Sequence, residues 1–286
     1  MVSPPVFPSD RVTIIGVLNA TPDSFSDGGL FVDRAERVRV EVAVDAAAAL
    51  LGAGADWLDI GGESTRPGAR EVPVAIETAR VVPVVEALAK RFDAPISIDT
   101  RKGEVAEAAL DAGAAIVNDV SGLGFDPQVA SVAARAGAIL VLGHLRGTPE
   151  TMQRAPEFAD VLEEVAVELE SSVERARAAG VARPQLAVDP GLGFGKNLEQ
   201  NLTLLAHPGW LRQRLGLPVV LGPSRKSFLG AVTGEPVDRR DPASWAACAI
   251  AAFAGVDAVR VHAPAGAAAA VALGRALANA RREGLS

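Results

Sequence analysis

The stretch Val12-Thr13-Ile14-Ile15-Gly16-Val17-Leu18-Asn19 is an almost unbroken apolar run closed by a polar residue, and the same design recurs along the chain. Further runs occupy Trp57–Ile60, Ile96–Ile98, Ala115–Val117, Ile139–Leu142, Leu186–Val188, Val219–Leu221 and Ala258–Val261, each followed by a polar or glycine-rich loop and a helical segment. Runs that are apolar throughout, rather than alternating, suit strands covered on both faces, as in a parallel sheet. Eight strand–helix units in succession, with no signal for a change of strand order, predict an α/β chain folded as a single-domain (β/α)8 TIM barrel over residues 12–286. The proline-rich start, residues 1–11, is expected to be a flexible N-terminal tail.

Local signals support the helices. Asp126-Pro127 and Asp241-Pro242 place an acid at the cap before a proline at the first helical position. Asp160 with Glu163 resembles a capping box, and Gly113, Gly137, Gly180 and Gly255 sit where helices should stop. Arg37–Asp45 alternates polar residues with valine, which by period alone would be a strand. Val38, Val42, Ala46 and Ala49 also fit a helical stripe and no turn precedes Ala46–Leu51, so a helix is expected.

The chain has 286 residues, 49% of them hydrophobic, which allows a sizeable core; aromatics are only 4% and tyrosine is absent, so Ala, Val and Leu must fill it. A net charge of −7 argues against nucleic-acid or anionic-membrane partners, while leaving room for a local cationic pocket. The one cysteine, Cys248, excludes an intrachain disulfide and points to a reducing compartment. With no leader-like start and no membrane-length apolar run, a soluble cytoplasmic protein is expected.

Barrels of this kind carry their chemistry on the loops that follow the strands. Unusual polar residues fall there: Asn19, Asp59 and Glu63, Asp99, Asn118-Asp119, His144, Asp189, Ser224-Arg225-Lys226, and Arg260 with His262, in strand order. For Asp59 or Asp119 alone, capping of the next helix competes on equal terms. Coincidence is a poor account when nearly every strand ends this way. The loops Asn19–Gly29 and Gly61–Gly68 are long for strand–helix connections and are expected to close over a pocket.

Arg66, Lys226, Arg260 and His262 concentrate positive charge suited to a phosphate or pyrophosphate, and Ser224–Ser227 should open a helix whose N-terminus favours anions. Asp99, Asn118 and Asp189 form an acceptor-rich set on neighbouring strands, matched to a heterocycle bearing NH donors. Gly191-Leu192-Gly193-Phe194-Gly195-Lys196-Asn197 lacks the spacing of a phosphate loop; its glycines are expected to let the backbone pass close to a flat ligand. Cys248 is expected to be a small buried apolar residue, and His207 has no assigned role.

Over essentially its whole length the chain resembles the dihydropteroate synthase family of folate biosynthesis. The matching stretches are Val17–Gly29 (VLNATPDSFSDGG), Gly61–Gly68 (GGESTRPG), Ser97–Thr100, Asn118-Asp119, Asp189–Lys196, Ser224–Phe228 and Arg260-Val261-His262. The resemblance implies a Mg²⁺-dependent transferase that joins p-aminobenzoate to 6-hydroxymethyl-7,8-dihydropterin pyrophosphate, releasing pyrophosphate and 7,8-dihydropteroate, and a site that sulfonamides contest. It implies that Asp99, Asn118, Asp189 and Lys226 hold the pterin, and that Asn19 ligates Mg²⁺ beside the pyrophosphate. Arg260, Val261 and His262 would meet the pyrophosphate end. Thr65, Arg66 and Pro67 would come from the second loop, and Phe194 and Ser227 would shape the p-aminobenzoate site. Asp27 and Arg66 would join Asp99, Asp189 and Lys226 in catalysis. A homodimer is implied as well.

Two positions depart from the family pattern. Gly143 stands where a methionine that packs on the pterin is usual, with Leu145 replacing a second, and Ala263 replaces an aspartate. Gly143 is expected to leave space or admit a neighbouring side chain. A pterin-binding methyltransferase on the same barrel would share Asp99, Asn118 and Asp189 but would not need the anion loops or Lys226. A non-catalytic pterin binder would have no reason to keep the pyrophosphate residues.

Overall fold

The computed structural model describes residues 7–21, 38–66, 68–148, 150–153 and 157–283. Its strands are β1 (Thr13–Asn19), β2 (Trp57–Gly61), β3 (Ile96–Asp99), β4 (Ile116–Asp119), β5 (Ile139–Gly143), β6 (Leu186–Asp189), β7 (Val220–Leu221) and β8 (Ala258–Val261). Its helices are α1 (Val40–Gly52), α2 (Val74–Arg91), α3 (Gly103–Asp111), α4 (Gln128–Ala136), α5 (Val161–Ala178), α6 (Leu198–Ala206), α7 (Pro208–Leu215), α8 (Ser227–Thr233), α9 (Asp241–Phe253) and α10 (Pro264–Glu283).

All paired strands are parallel, in the order β6-β5-β4-β3-β2-β1-β8-β7. A parallel bridge between Val188 and Val219, with Val188 N–H donating to the Pro218 carbonyl at 2.9 Å, joins the two ends and closes the barrel. Closure leaves no unpaired sheet edge, so strands as short as β7 are sufficient.

Side-chain alternation sorts each strand into two layers. Ile15, Trp57, Ile116, Ile139, Val141, Ala187, Val220 and Ala258 form one cluster inside the barrel. Their neighbours, including Leu58, Ile60, Ile98, Val117, Leu140, Val188, Val259 and Val261, belong to the larger cluster between strands and helices. Because both layers are apolar, the strands read as continuous runs. The inward parity then carries Asn19, Asp59, Asp99, Asn118, Asp189, Arg260 and His262 to the C-terminal mouth, on the same side as the inner cluster. At the opposite end Phe7 packs on Trp57 with ring centroids 4.9 Å apart, so residue 7, within the expected tail, helps to plug the barrel floor.

The Arg37–Asp45 segment is helical from Val40 onward. Asp160 caps α5 by accepting from Leu162 and Glu163 N–H, but the reciprocal acid is Glu164, whose Oε1 accepts from Asp160 N–H at 3.0 Å. Asp126 caps α4 through Gln128 N–H and also accepts from Gly103 N–H at 2.7 Å. Asp241 departs from expectation. It lies inside α9 and holds Arg225 through two hydrogen bonds of 2.7 and 2.8 Å, so the ion pair takes the carboxylate that the cap would have used.

Candidate active site

A cavity of ≈ 490 Å³ opens at the C-terminal mouth, lined by Asn19, Thr65, Arg66, Asp99, Asp189, Phe194, Lys226, Ser227, Arg260 and His262 among others. This brings together ten of the residues singled out from sequence. Asn118 lies beside Asp99 in register and is 3% exposed, below the cavity wall. Val261 does not reach the cavity; its side chain is in the outer core, one residue out of phase with Arg260 and His262. Asp27 and Pro67 lie outside the described residues.

In the inner half, Arg260 extends from β8 between two carboxylates. Its Nη2 donates to Asp59 Oδ2, and to Asp99 Oδ2 at 2.8 Å. Burial works against the Arg260 charge but is outweighed by Asp59, Asp99 and Asp189, so the guanidinium stays protonated. The expected cationic rim therefore loses Arg260 to the interior, where Asp59 anchors it rather than capping a helix. Asp119, by contrast, is a loop cap: it accepts from Ser121 and Leu123 N–H.

Four buried polar atoms of this inner half have no hydrogen-bond partner within the protein: Asp59 Oδ1, Asp99 Oδ1, Asn118 Nδ2 and Arg260 Nε. Buried polar atoms are rarely left unpaired, so this group marks where a polar ligand belongs. Burial pushes the Asp99 carboxyl up to about 6, with the Asp59 charge adding to it and Arg260 opposing. Asp189 is likewise raised by burial, although it accepts from Gly191 N–H at 2.8 Å and feels Arg260 and Lys226.

The outer half is cationic. Lys226 Nζ lies 3.8 Å from the Phe194 ring centroid, and burial lowers its ammonium to about 8. Arg225 also lines this half, with a left-handed backbone (φ 56°) held by Ser244 Oγ, which accepts from its N–H at 2.9 Å. His262 was expected to add charge, but it is neutral: burial and the neighbouring Arg225, Arg260, Arg66 and Lys226 press its pKa down to about 3. Ser224 Oγ accepts from His262 N–H and contacts Nδ1 at 3.0 Å. In the tautomer in which the Ser224 hydroxyl donates to Nδ1, Nε2–H is the donor left for an anion. The helix expected after Ser224 is α8, a short seven-residue segment beginning at Ser227.

Leu192, Gly193 and Phe194 of the glycine-rich loop line the cavity, and the loop's glycines also admit close neighbours on its other side. A Cβ on Gly191 would lie 2.0 Å from the His144 carbonyl oxygen, and one on Gly193 would lie 2.9 Å from Lys226 Cδ. Both glycines have positive φ, at 71° and 79°. Their neighbour Lys196, which sequence reasoning left without a role, is 3% exposed and donates to the carbonyls of Gly191 (3.1 Å) and Phe194 (2.9 Å) and contacts His144 Nδ1 at 3.0 Å. His144 passes the connection to Glu168 at 3.0 Å, so it fixes the loop from behind rather than lining the cavity. Burial lowers Lys196 to about 7.

At the fifth strand end, Gly143 leaves no space. A Cβ there would meet the Cα and carbonyl oxygen of Val120, both at 2.6 Å. Main chain from the loop after β4, rather than a side chain, fills the position.

The family described as pterin binding enzyme matches residues 15–262. The dihydropteroate synthase of Synechocystis sp. is 44% identical over 253 residues, 88% of this chain and 85% of that protein. The Escherichia coli dihydropteroate synthase is 43% identical over 87% of this chain and 86% of its own. Among solved structures, Yersinia pestis dihydropteroate synthase in a sulfonamide drug complex superposes with a TM-score of 0.87 at 42% identity, covering 93% of this chain and 94% of that one. Xanthomonas albilineans dihydropteroate synthase with 4-aminobenzoic acid gives 0.84 at 42% identity, covering 94% and 93%. The cavity thus sits on a barrel whose relatives share it over nearly their full length, and the chain belongs to the dihydropteroate synthase family of pterin-binding enzymes.

Proposed function

We propose that the chain condenses p-aminobenzoate with 6-hydroxymethyl-7,8-dihydropterin pyrophosphate to give 7,8-dihydropteroate and pyrophosphate. The observation that carries this is the unpaired set Asp59 Oδ1, Asp99 Oδ1, Asn118 Nδ2 and Arg260 Nε at the base of a cavity whose outer half is cationic. A pterin supplies ring NH donors for Asp99 and Asp189 and an acceptor edge for Asn118 and Lys226. Thr65, Arg66, Phe194 and Ser227 stand where p-aminobenzoate would approach the methylene carbon.

The reaction then follows from charge. As the carbon–oxygen bond to pyrophosphate breaks, positive charge grows on the pterin methylene, beside the carboxylates of Asp99 and Asp189. Negative charge grows on the leaving group, toward Lys226, Arg66 and the His262 imidazole. The arylamine nitrogen bonds to the methylene carbon and then sheds a proton. No covalent enzyme nucleophile is needed.

Mg²⁺ fits the outer half. Gly61 has no side chain, and a Cβ there would lie 3.3 Å from Asn19 Oδ1, so the glycine keeps this hard oxygen open to the cavity. The described carboxylates nearby are engaged, Asp99 with Arg260 and Glu63 with Arg101 and Lys102. Asn19 would be the single described protein ligand, in keeping with the ion's habit of retaining waters and substrate phosphates. When bound, Mg²⁺ would neutralise the departing pyrophosphate.

Binding can be tested without turnover. Calorimetric titration with 6-hydroxymethyl-7,8-dihydropterin should give one site per chain; absence of saturable heat would contradict the assignment. The titrating groups set a pH window. Asp99 must be ionised and Lys226 protonated, so kcat/KM for the pyrophosphate substrate should fall as pH drops below about 6 and as it rises above about 8. A pH profile of Lys226→Met should lack the alkaline limb; its survival there would assign that limb to another group.

We also propose a homodimer and a cytoplasmic location. Leu198, Leu202, Val232 and Ile250 are exposed on α6, α8 and α9, which pack on one another, and such a face suits a second copy. Sedimentation should give twice the chain mass. Cys248 is buried with its thiol pushed up to about 12, as an inert core residue would be. No helix among the described residues is long and apolar enough to cross a membrane.

A further inference from the structure

At the wall of the cavity, which Glu63 lines, lies a buried ion cluster that the proposed reaction does not use. Lys102, at the start of α3, is 3% exposed and does not line the cavity. Its ammonium makes three contacts of 2.6 Å: Glu63 Oε2, Glu77 Oε2 and the carbonyl oxygen of Val72. Glu63 Oε2 also accepts from Val72 N–H at 2.6 Å, and Glu63 Oε1 accepts from Arg101 Nε at 3.0 Å. Thr100 Oγ1 donates to the other oxygen of Glu77 at 2.7 Å. Arg80 ties the preceding residue, donating to the Gly62 carbonyl at 3.1 Å.

Residues 63 and 72 are the two ends of the loop that presents Ser64, Thr65 and Arg66 to the cavity. Both ends meet on one ammonium. The three donors of a lysine are all used, and Glu63 and Glu77 are compensated by Lys102, Arg101 and the nearby Arg80. A buried cluster in which one ammonium holds three acceptors fixes its geometry tightly, whereas an isolated loop of this length would sample many conformations.

We infer that Lys102 is a positioning residue: by stapling Glu63 to Val72 it fixes the loop that delivers Thr65 and Arg66 to the outer half of the cavity, without touching substrate. The choice of ligand in the test rests on the proposed function; the loop's geometry does not.

Lys102→Met alone would strand two buried carboxylates and could unfold the chain. The informative pair is therefore Glu77→Gln, which leaves the Glu63–Lys102–Val72 staple intact, and the double variant Lys102→Met/Glu77→Gln, which removes it while Arg101 still balances Glu63. In the double variant, hydrogen exchange over peptides covering residues 64–71 should accelerate at least about tenfold relative to Glu77→Gln, with α2 and α3 unchanged. Affinity for the dihydropterin pyrophosphate should drop by about ten- to a hundredfold, the scale of a misplaced contact loop. Affinity for 6-hydroxymethyl-7,8-dihydropterin, which lacks the pyrophosphate, should stay within about twofold, because the inner half is separate. Unchanged exchange in the loop overturns the inference whatever the substrate proves to be. Equal losses for both pterins overturn it too, since the effect would then not act through the loop. If the unaltered protein binds neither pterin, the proposed function fails while the exchange measurement still decides the role of Lys102.

Discussion

Asp189→Asn is expected to lower kcat/KM for the pterin substrate by roughly a hundredfold or more, equivalent to about 3 kcal/mol for loss of a charged hydrogen bond in a buried site. One carboxylate oxygen accepts from Gly191 N–H at 2.8 Å, and an asparagine oxygen can keep that bond. The other position then becomes an NH₂ group facing the ring donors of the pterin, donor against donor, with the charge opposite the cationic methylene removed. Stability should move the other way. Burial raises the Asp189 pKa above its unfolded value, so the ionised form is a liability to the empty fold at neutral pH. The variant should melt at the same temperature as the parent or higher. Steady-state kinetics with a thermal melt check this: an activity loss matched by a lower melting temperature would make Asp189 a structural residue, and unchanged kcat/KM would remove it from the site.

Gly143→Met, which places the usual family residue on strand β5, is expected to destabilise the protein by about 2–3 kcal/mol, within the range for overpacking a filled position. The added Cβ would fall 2.6 Å from both the Cα and the carbonyl oxygen of Val120. That main chain cannot withdraw easily. Asp119 accepts from Ser121 and Leu123 N–H at 2.8 and 2.7 Å, Arg175 donates to the Gly122 carbonyl at 2.9 Å, and Leu123 is already left-handed at φ 67°. For a chain of this size the melting temperature should fall by about 5 °C or more. A methionine that left stability untouched, or tightened pterin binding, would mean that the Val120–Gly122 turn is free to yield.

The contrast between these two sites shows what the sequence could and could not convey. The barrel and its mouth are legible because strand parity is local: once Ile98, Val117, Val188 and Val259 face the helices, Asp99, Asn118, Asp189 and Arg260 must face inward. The same parity assigns Val261 outward, although its motif neighbours line the cavity. What the sequence conceals are pairings between distant positions. Arg260 and Asp59 are 201 residues apart, and only their contact reveals that the arginine is an interior group rather than part of the rim. His262 follows suit, since its neutrality comes from burial together with cations gathered from distant positions. Lys196 and Lys102 carry no motif that announces a buried ammonium; each is recognised by the carbonyls and carboxylates that surround it. Gly143 is the same lesson in backbone form, its constraint arising from a turn more than twenty residues earlier.

The most direct measurement is product formation by the unaltered chain. Incubated with 6-hydroxymethyl-7,8-dihydropterin pyrophosphate, p-aminobenzoate and Mg²⁺, it should yield 7,8-dihydropteroate and pyrophosphate in equal amounts, followed by mass spectrometry and a pyrophosphate assay. Omitting p-aminobenzoate should abolish dihydropteroate. A folded protein that binds the pterin yet forms no dihydropteroate would contradict the account.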